Sequence, residues 1–220
     1  ILPATVLARA WRYPQARGLF AGVAAHLFGR LTTPLSASVG LMLGATAHAY
    51  GWPVAKGGSQ AIVDALVAAL AELGGTVETS TPVTSAQQLG DADIVLLDLA
   101  PRDAARILGD LLPPRIARGL RRYRHGPAAF KVDFAVEGPI PWWDPAVGDA
   151  GTVHLAGSLH ETAAVEAEVV AGQMPRRPFV LLGQQYVADP GRSRDGMNPV
   201  YAYAHVPHGY SGDATEAIIA

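Results

Sequence analysis

Apolar residues at Ile62, Val63, Leu66, Val67, Leu70 and Leu73 recur at three- and four-residue steps, which places them on one face of a helix. Gly57-Gly58 supplies a turn before that helix and Ser59 a hydroxyl able to cap it; Gly74-Gly75 stops it, because glycine enters the left-handed conformation in which helices end. The period then changes. Residues 76–83 are β-branched at most positions and broken only by Pro82, and residues 94–99 are apolar except for Asp98. Both stretches predict strands, the second buried on both faces.

Upstream, residues 1–13 predict a short helix ended by Pro14, and residues 18–31, rich in Ala, Leu and Phe, a second one, with Pro34 interrupting the pattern again. Residues 31–55 carry no formal charge, yet Thr32, Thr33, Pro34, Ser36, Ser38, Thr46 and His48 divide them, so they predict core helices rather than a membrane span. Gly18/Gly22 and Gly40/Gly44 are spaced for close helix contact. Downstream, residues 102–112 are helical in pattern, and Pro113-Pro114 opens a helix with Ile116, Leu120 and Tyr123 on one face and Arg115, Arg118 and Arg122 opposite.

The second half alternates. Phe130, Val132, Phe134 and Val136 interleave with Lys131, Asp133, Ala135 and Glu137, a half-buried strand closed by Gly138-Pro139. A rigid aromatic connector over residues 140–145 follows, then strands at 152–156, 179–184 and 200–206. Ser158 and Glu161 form a capping box for a helix reaching about residue 171, and Asp213 with Glu216 starts a last one. The fold class predicted is α+β, with strands 130–136, 179–184 and 200–206 in a single sheet.

Composition narrows the function classes. The chain has 220 residues, 50% of them hydrophobic and 16% charged, enough for a buried core, and it has no cysteine, which removes disulfides and thiolate metal sites and suits a reducing cytoplasm. A net charge of -2 gives no global attraction to nucleic acid. The five arginines between 115 and 124 read as a solvated helix face, since no series of stacking aromatics accompanies them. No acidic residue precedes Asp64, so the first 63 residues hold only Arg9, Arg12, Arg17, Arg30 and Lys56. A surface of that kind suits peripheral contact with anionic lipid.

Familiar catalytic signatures are missing from the sequence. It contains neither G-x-S-x-G nor H-E-x-x-H, and neither of its two lysines, Lys56 and Lys131, belongs to a phosphate-binding loop. His125, His154, His160, His205 and His208 offer imidazoles for a metal on paper. His205 and His208 are three apart on a strand and point to opposite faces, so no metal site is expected. Tyr201, Tyr203 and His205 share one strand face, read as a core or surface stripe ahead of a pocket lining.

Helix, strand, short link and buried strand over residues 51–101 resemble the middle of the flavin-dependent phytoene desaturase and amine oxidase superfamily. There a proline and a Gly pair open the helix, as Pro53 and Gly57-Gly58 do, and the buried strand ends in a small-residue-Pro pair, here Ala100-Pro101. The second half is similar too, from Pro178-Phe179-Val180 through Asp189-Pro190 and Gly196 to an aromatic strand closing in His205-Val206-Pro207. Two departures stand out. Arg194-Asp195 precedes the turn glycine, and only seven residues separate Val83 from Asp91, where many relatives insert a hairpin.

The resemblance implies a substrate domain from residues 1–50 and 112–220, joined to a partial FAD-binding segment at 51–111. It implies FAD as cofactor of the intact protein, with Val83 offering its backbone to the adenine and the Ala100-Pro101 turn also binding the cofactor. It assigns no catalytic side chain. The activity implied is oxidation or desaturation of an apolar, isoprenoid or lipid-like substrate by hydride transfer to flavin. The alternative is a non-catalytic lipid- or protein-binding domain using the same apolar helices and open sheet. No two of the 24 glycines are separated by one residue, so the G-x-G-x-x-G turn that holds a dinucleotide pyrophosphate is not in this sequence. The chain therefore reads as a central fragment, expected to be inactive alone, to bind FAD weakly and to self-associate through strand edges at 94–99.

Overall fold

The structure is a computed structural model that describes residues 2–219. It divides into two compact units, one comprising the described part of Ile1–Leu66 with Gly126–Ala220 and the other Val67–His125. The resemblance draws its boundaries near 50/51 and 111/112; the contacts divide the chain at 66/67 and 125/126.

In the first unit, β1 (Ala128–Glu137), β2 (Thr152–Leu155), β3 (Val180–Gly183) and β4 (Met197–Val206) form one sheet in the order β1-β4-β3-β2, every pair antiparallel. The three strands expected to share a sheet do so, and the protein is α+β. Pairing of Phe130 with Ala204, Val132 with Ala202 and Phe134 with Val200 puts the apolar residues of β1 on the face where Val180, Ala202, Ala204 and Val206 are buried with Ala214 and Ile218. The alternation read from β1 is thus real: Lys131 and Asp133 occupy the other face and pair at 2.6 Å. On that face Tyr201 and Tyr203 pack with Phe179, Leu181, Ala25 and Val165.

Helices cover both sides. α7 (Leu159–Val170) starts where Ser158 and Glu161 close their reciprocal capping box, and buries Thr162, Glu166 and Val169 on one stripe. α8 (Thr215–Ile219) follows Asp213, whose carboxylate accepts from the Thr215 N–H at 2.8 Å. α1 (Ala4–Leu7), α2 (Pro14–Ala24) and the start of α3 (Ser36–Tyr50) pack through Ala4, Ala8, Ala21, Ala24 and Ala37 around Phe20 and Leu31. Ser36 ties this layer together. Its buried hydroxyl accepts from Ala4 N–H at 2.8 Å and lies within hydrogen-bond reach of the Leu31 and Thr33 carbonyls at 2.9 and 2.8 Å. Among the described residues no helix is long and apolar enough to cross a membrane.

α4 (Gln60–Glu72) forms where its periodicity predicts it and ends at Gly74, whose φ is +80°. Its apolar stripe is nonetheless exposed, with no residue of α4 buried. The second unit contains a 3-10 turn (Ala86–Leu89), α5 (Pro101–Leu108) and α6 (Pro114–Arg121). It corrects two expectations. Residues 76–83 and 94–99 form no strand, and Ile94 and Leu96 are 79% and 90% exposed. The physical reason is that a strand is not self-sufficient: its backbone groups and its side chains both need a neighbour, which neither segment has among the described residues. The buried side of α6 likewise centres on Ala117, while Ile116 and Tyr123 are exposed.

Candidate functional site

The three residues that the resemblance assigns to the flavin all lie in the second unit. Val83 is 38% exposed, and its backbone N–H and C=O make no hydrogen bond among the described residues, so both remain available to an adenine edge. The shortened link behind it is a built turn: Gln88 Oε1 accepts from the Thr84 and Ser85 N–H groups at 2.7 and 3.0 Å. Pro101 is the first residue of α5 and Ala100 its N-cap, with φ -59° and ψ 143°. These are the groups that the resemblance sets against FAD. They supply hydrogen bonds and no charge, and the sequence holds no glycine turn for the pyrophosphate.

A wide concavity lies wholly in the first unit. It is an open groove of about 1120 Å³. α2 contributes Pro14, Gly18, Leu19 and Gly22 to one side, and the edge strand β2 with its flanking loops contributes Val153 and His154. Gly22 allows a close approach, because a Cβ there would sit 2.9 Å from His154 Nδ1. The loop 146–151 along the groove is held from below by Gln184, fully buried, whose Nε2 donates to the Val147 and Ala150 carbonyls at 2.9 and 2.6 Å. Its Oε1 accepts from Trp142 Nε1 at 3.1 Å, which gives the aromatic connector a structural role.

Behind the groove wall stands a group of histidines. His26 Nε2 and His154 Nε2 lie 3.1 Å apart, so one ring must donate and the other accept. Burial, followed by the influence of His26 and His205, pushes His154 down to about 4. Burial and then His205 also lower His26. Both rings are therefore neutral at pH 7. His205 Nδ1 is 2.7 Å from Glu166 Oε1, with both side chains fully buried. Among the described residues Glu166 Oε2 and His205 Nε2 have no hydrogen-bond partner. Aromatic rings enclose the pair: Phe28 and Phe179 lie with centroids 3.8 and 5.0 Å from the His205 ring. Phe28 reaches it from a left-handed backbone, φ 53° and ψ 48°, a conformation that L-residues with side chains rarely adopt.

Sequence reading places Tyr201, Tyr203 and His205 on one face correctly but misses the partners of His205 and His154. Glu166 carried a signal, since it shares the helical stripe of Thr162 and Val169 at four- and three-residue steps. His26 carried one too, four residues after Gly22. His154 and His205 belong to two separate pairings, and among the described residues no group of three or more His, Asp or Glu side chains is arranged to hold a metal. A smaller pocket of about 430 Å³ lies beside Arg192, whose guanidinium donates to the Ala55 carbonyl at 2.7 Å and to Asp189 at 3.2 Å. The Gly57 N–H, donating to Asp189 at 2.7 Å, holds that carboxyl below its usual range. This links the Gly57-Gly58 turn to the Asp189-Pro190 turn.

Compared with known proteins, the chain matches no family model and no curated sequence.

Proposed function

We propose that the first unit is the substrate domain of an FAD-dependent oxidoreductase of phytoene desaturase type, and that the groove between α2 and β2 receives its apolar substrate. The observation that carries the reading is the groove itself. It is about 1120 Å³, just above the upper end of the range that small-molecule sites occupy, and carbon dominates its lining, with Leu19, Val23, Trp52, Val54 and Val147 among the contributors. FAD, when bound, supplies the hydride acceptor. The residues of this chain do the rest: the groove desolvates and aligns the substrate, while Val83 offers backbone hydrogen bonds to the adenine and Ala100-Pro101 shape the adjoining turn. A reducing cytoplasm, with peripheral contact to lipid in which such substrates dissolve, completes the proposal.

A second reading, a non-catalytic binding domain for lipid-like molecules, is favoured by one observation. Every residue lining the groove belongs to the first unit, so the site is complete without the segment that carries Val83, Ala100 and Pro101. One anaerobic experiment separates the two: the protein with excess FAD and an isoprenoid hydrocarbon, followed by the flavin's visible absorbance and by dye displacement. Saturable binding with bleaching supports the oxidoreductase. Because the chain is expected to hold FAD weakly, saturable hydrocarbon binding without bleaching supports the binding domain when flavin fluorescence shows that FAD, supplied at millimolar concentration, is bound in the same sample. Absence of saturable binding removes both.

A further inference from the structure

The groove is apolar but not featureless. His154 lines it, and that ring has one nitrogen committed and one open: Nε2 meets His26, whereas Nδ1 faces the position where Gly22 has no side chain. No protein hydrogen bond to Nδ1 is formed among the described residues. Among the described residues the only formally charged one in the lining is Asp149, exposed at the rim, where it disfavours an anionic head group. Resting on the reading of this groove as the substrate site, we propose that it binds an uncharged apolar molecule through a single hydroxyl or carbonyl oxygen, hydrogen-bonded to His154 Nδ1, with His26 as the partner that takes up or supplies the proton at His154 Nε2.

The pair can serve either oxygen without acquiring charge. Toward a hydroxyl, His154 Nδ1 accepts, so its proton sits on Nε2 and is donated to His26 Nε2. Toward a carbonyl, His154 Nδ1–H donates, and its Nε2 accepts from His26 Nε2–H. Each ring keeps one proton in both states. Neutrality of the two rings at pH 7 follows from their burial and from the nearby His205, which is itself paired with Glu166. Phe179 packs against His154 at a tilt of 51° with centroids 5.4 Å apart, so the ring is held in orientation from the core side. An alcohol and the matching ketone therefore find the same site.

The test compares farnesol, geranylacetone and farnesene by displacement of the neutral dye Nile red, with palmitate as the anionic comparator. Farnesol and geranylacetone are expected to bind roughly tenfold tighter than farnesene, the worth of one hydrogen bond. His154→Phe keeps an aromatic ring against Phe179 and is expected to erase that preference while retaining farnesene. In the wild-type protein, farnesol should shift the ring nitrogen resonance of His154 Nδ1, an observation independent of whether the variant folds. Equal affinity for farnesol and farnesene, tighter binding of palmitate, or an unmoved Nδ1 resonance overturns the proposal while leaving the groove as an apolar site. No saturable binding of any of these probes overturns the groove reading itself.

Discussion

Buried polar side chains decide most at the scale of single residues. His154, neutral in the fold down to about pH 4, takes up a proton near pH 6.5 once unfolded. Between those values the unfolded state binds more protons, so stability falls as pH drops below about 6.5, and the loss is complete only below about 4. Its size is up to about 3 kcal/mol. Denaturant titrations at pH 7 and pH 4.5 should show that difference shrink in His154→Phe, and an NMR titration of the ring checks the midpoint directly. Glu166 has a different role. Removing one member of a buried pair leaves the other without compensation, so Glu166→Ala should cost about 3–5 kcal/mol in a denaturant melt at pH 7, and Glu166→Gln, which keeps an acceptor for His205, clearly less. Both effects arise from atoms that sequence alone left unpaired, since 39 residues separate Glu166 from His205.

Glycine spacing becomes informative at the scale of elements once the helices are packed. The repeats Gly18/Gly22 and Gly40/Gly44 look alike in sequence, yet one glycine of each is a close-contact position. A Cβ on Gly40 would lie 2.8 Å from the Phe20 ring and 3.1 Å from Ala24, whereas Gly44 faces open space. Gly44→Ala should therefore stabilise the protein by about 0.5–1 kcal/mol through helix propensity. Gly40→Ala gains the same propensity but forces α2 and α3 apart, an overpacking cost of about 1–3 kcal/mol, and should lower the melting temperature. A thermal melt of the two variants side by side checks the sign of each. Capping was legible for the same local reason: Ser158 and Glu161, and Asp213 ahead of α8, act within one helical turn. The segments 76–83 and 94–99 were not, because strand formation depends on a partner that local pattern does not supply.

For the whole molecule, the exposed apolar surface and the residues that the resemblance assigns to the flavin lead to testable outcomes. Val83 offers two backbone groups and the sequence no pyrophosphate cradle. Hydrogen bonds of about 1 kcal/mol each fall short of an association cost of roughly 4 kcal/mol or more, so the purified chain should be colourless. A titration following flavin fluorescence checks this; saturation in the micromolar range would contradict it. Ile62 and Leu66 on α4 are 56% and 67% exposed, Leu73 just after it 87%, and Leu96 90%. Apolar surface of this kind favours association, now through helix α4 and an irregular segment rather than through a strand edge. Light scattering against concentration should show reversible growth in mass, reduced in Leu66→Lys.

The sequence by itself determined the α+β class, the alternation of β1, the extent of α4 and the caps of α7 and α8, because each is written in contacts between residues a few positions apart. Tertiary structure alone decided the strand order, the absence of strands at 76–83 and 94–99, and the groove with its histidines. His26 and His154 are 128 residues apart and meet where α2 approaches the edge strand β2 closely at Gly22. Periodicity reports which face of an element is apolar; it carries no term for which distant element comes to cover that face, and the chemistry of this site is made of such meetings.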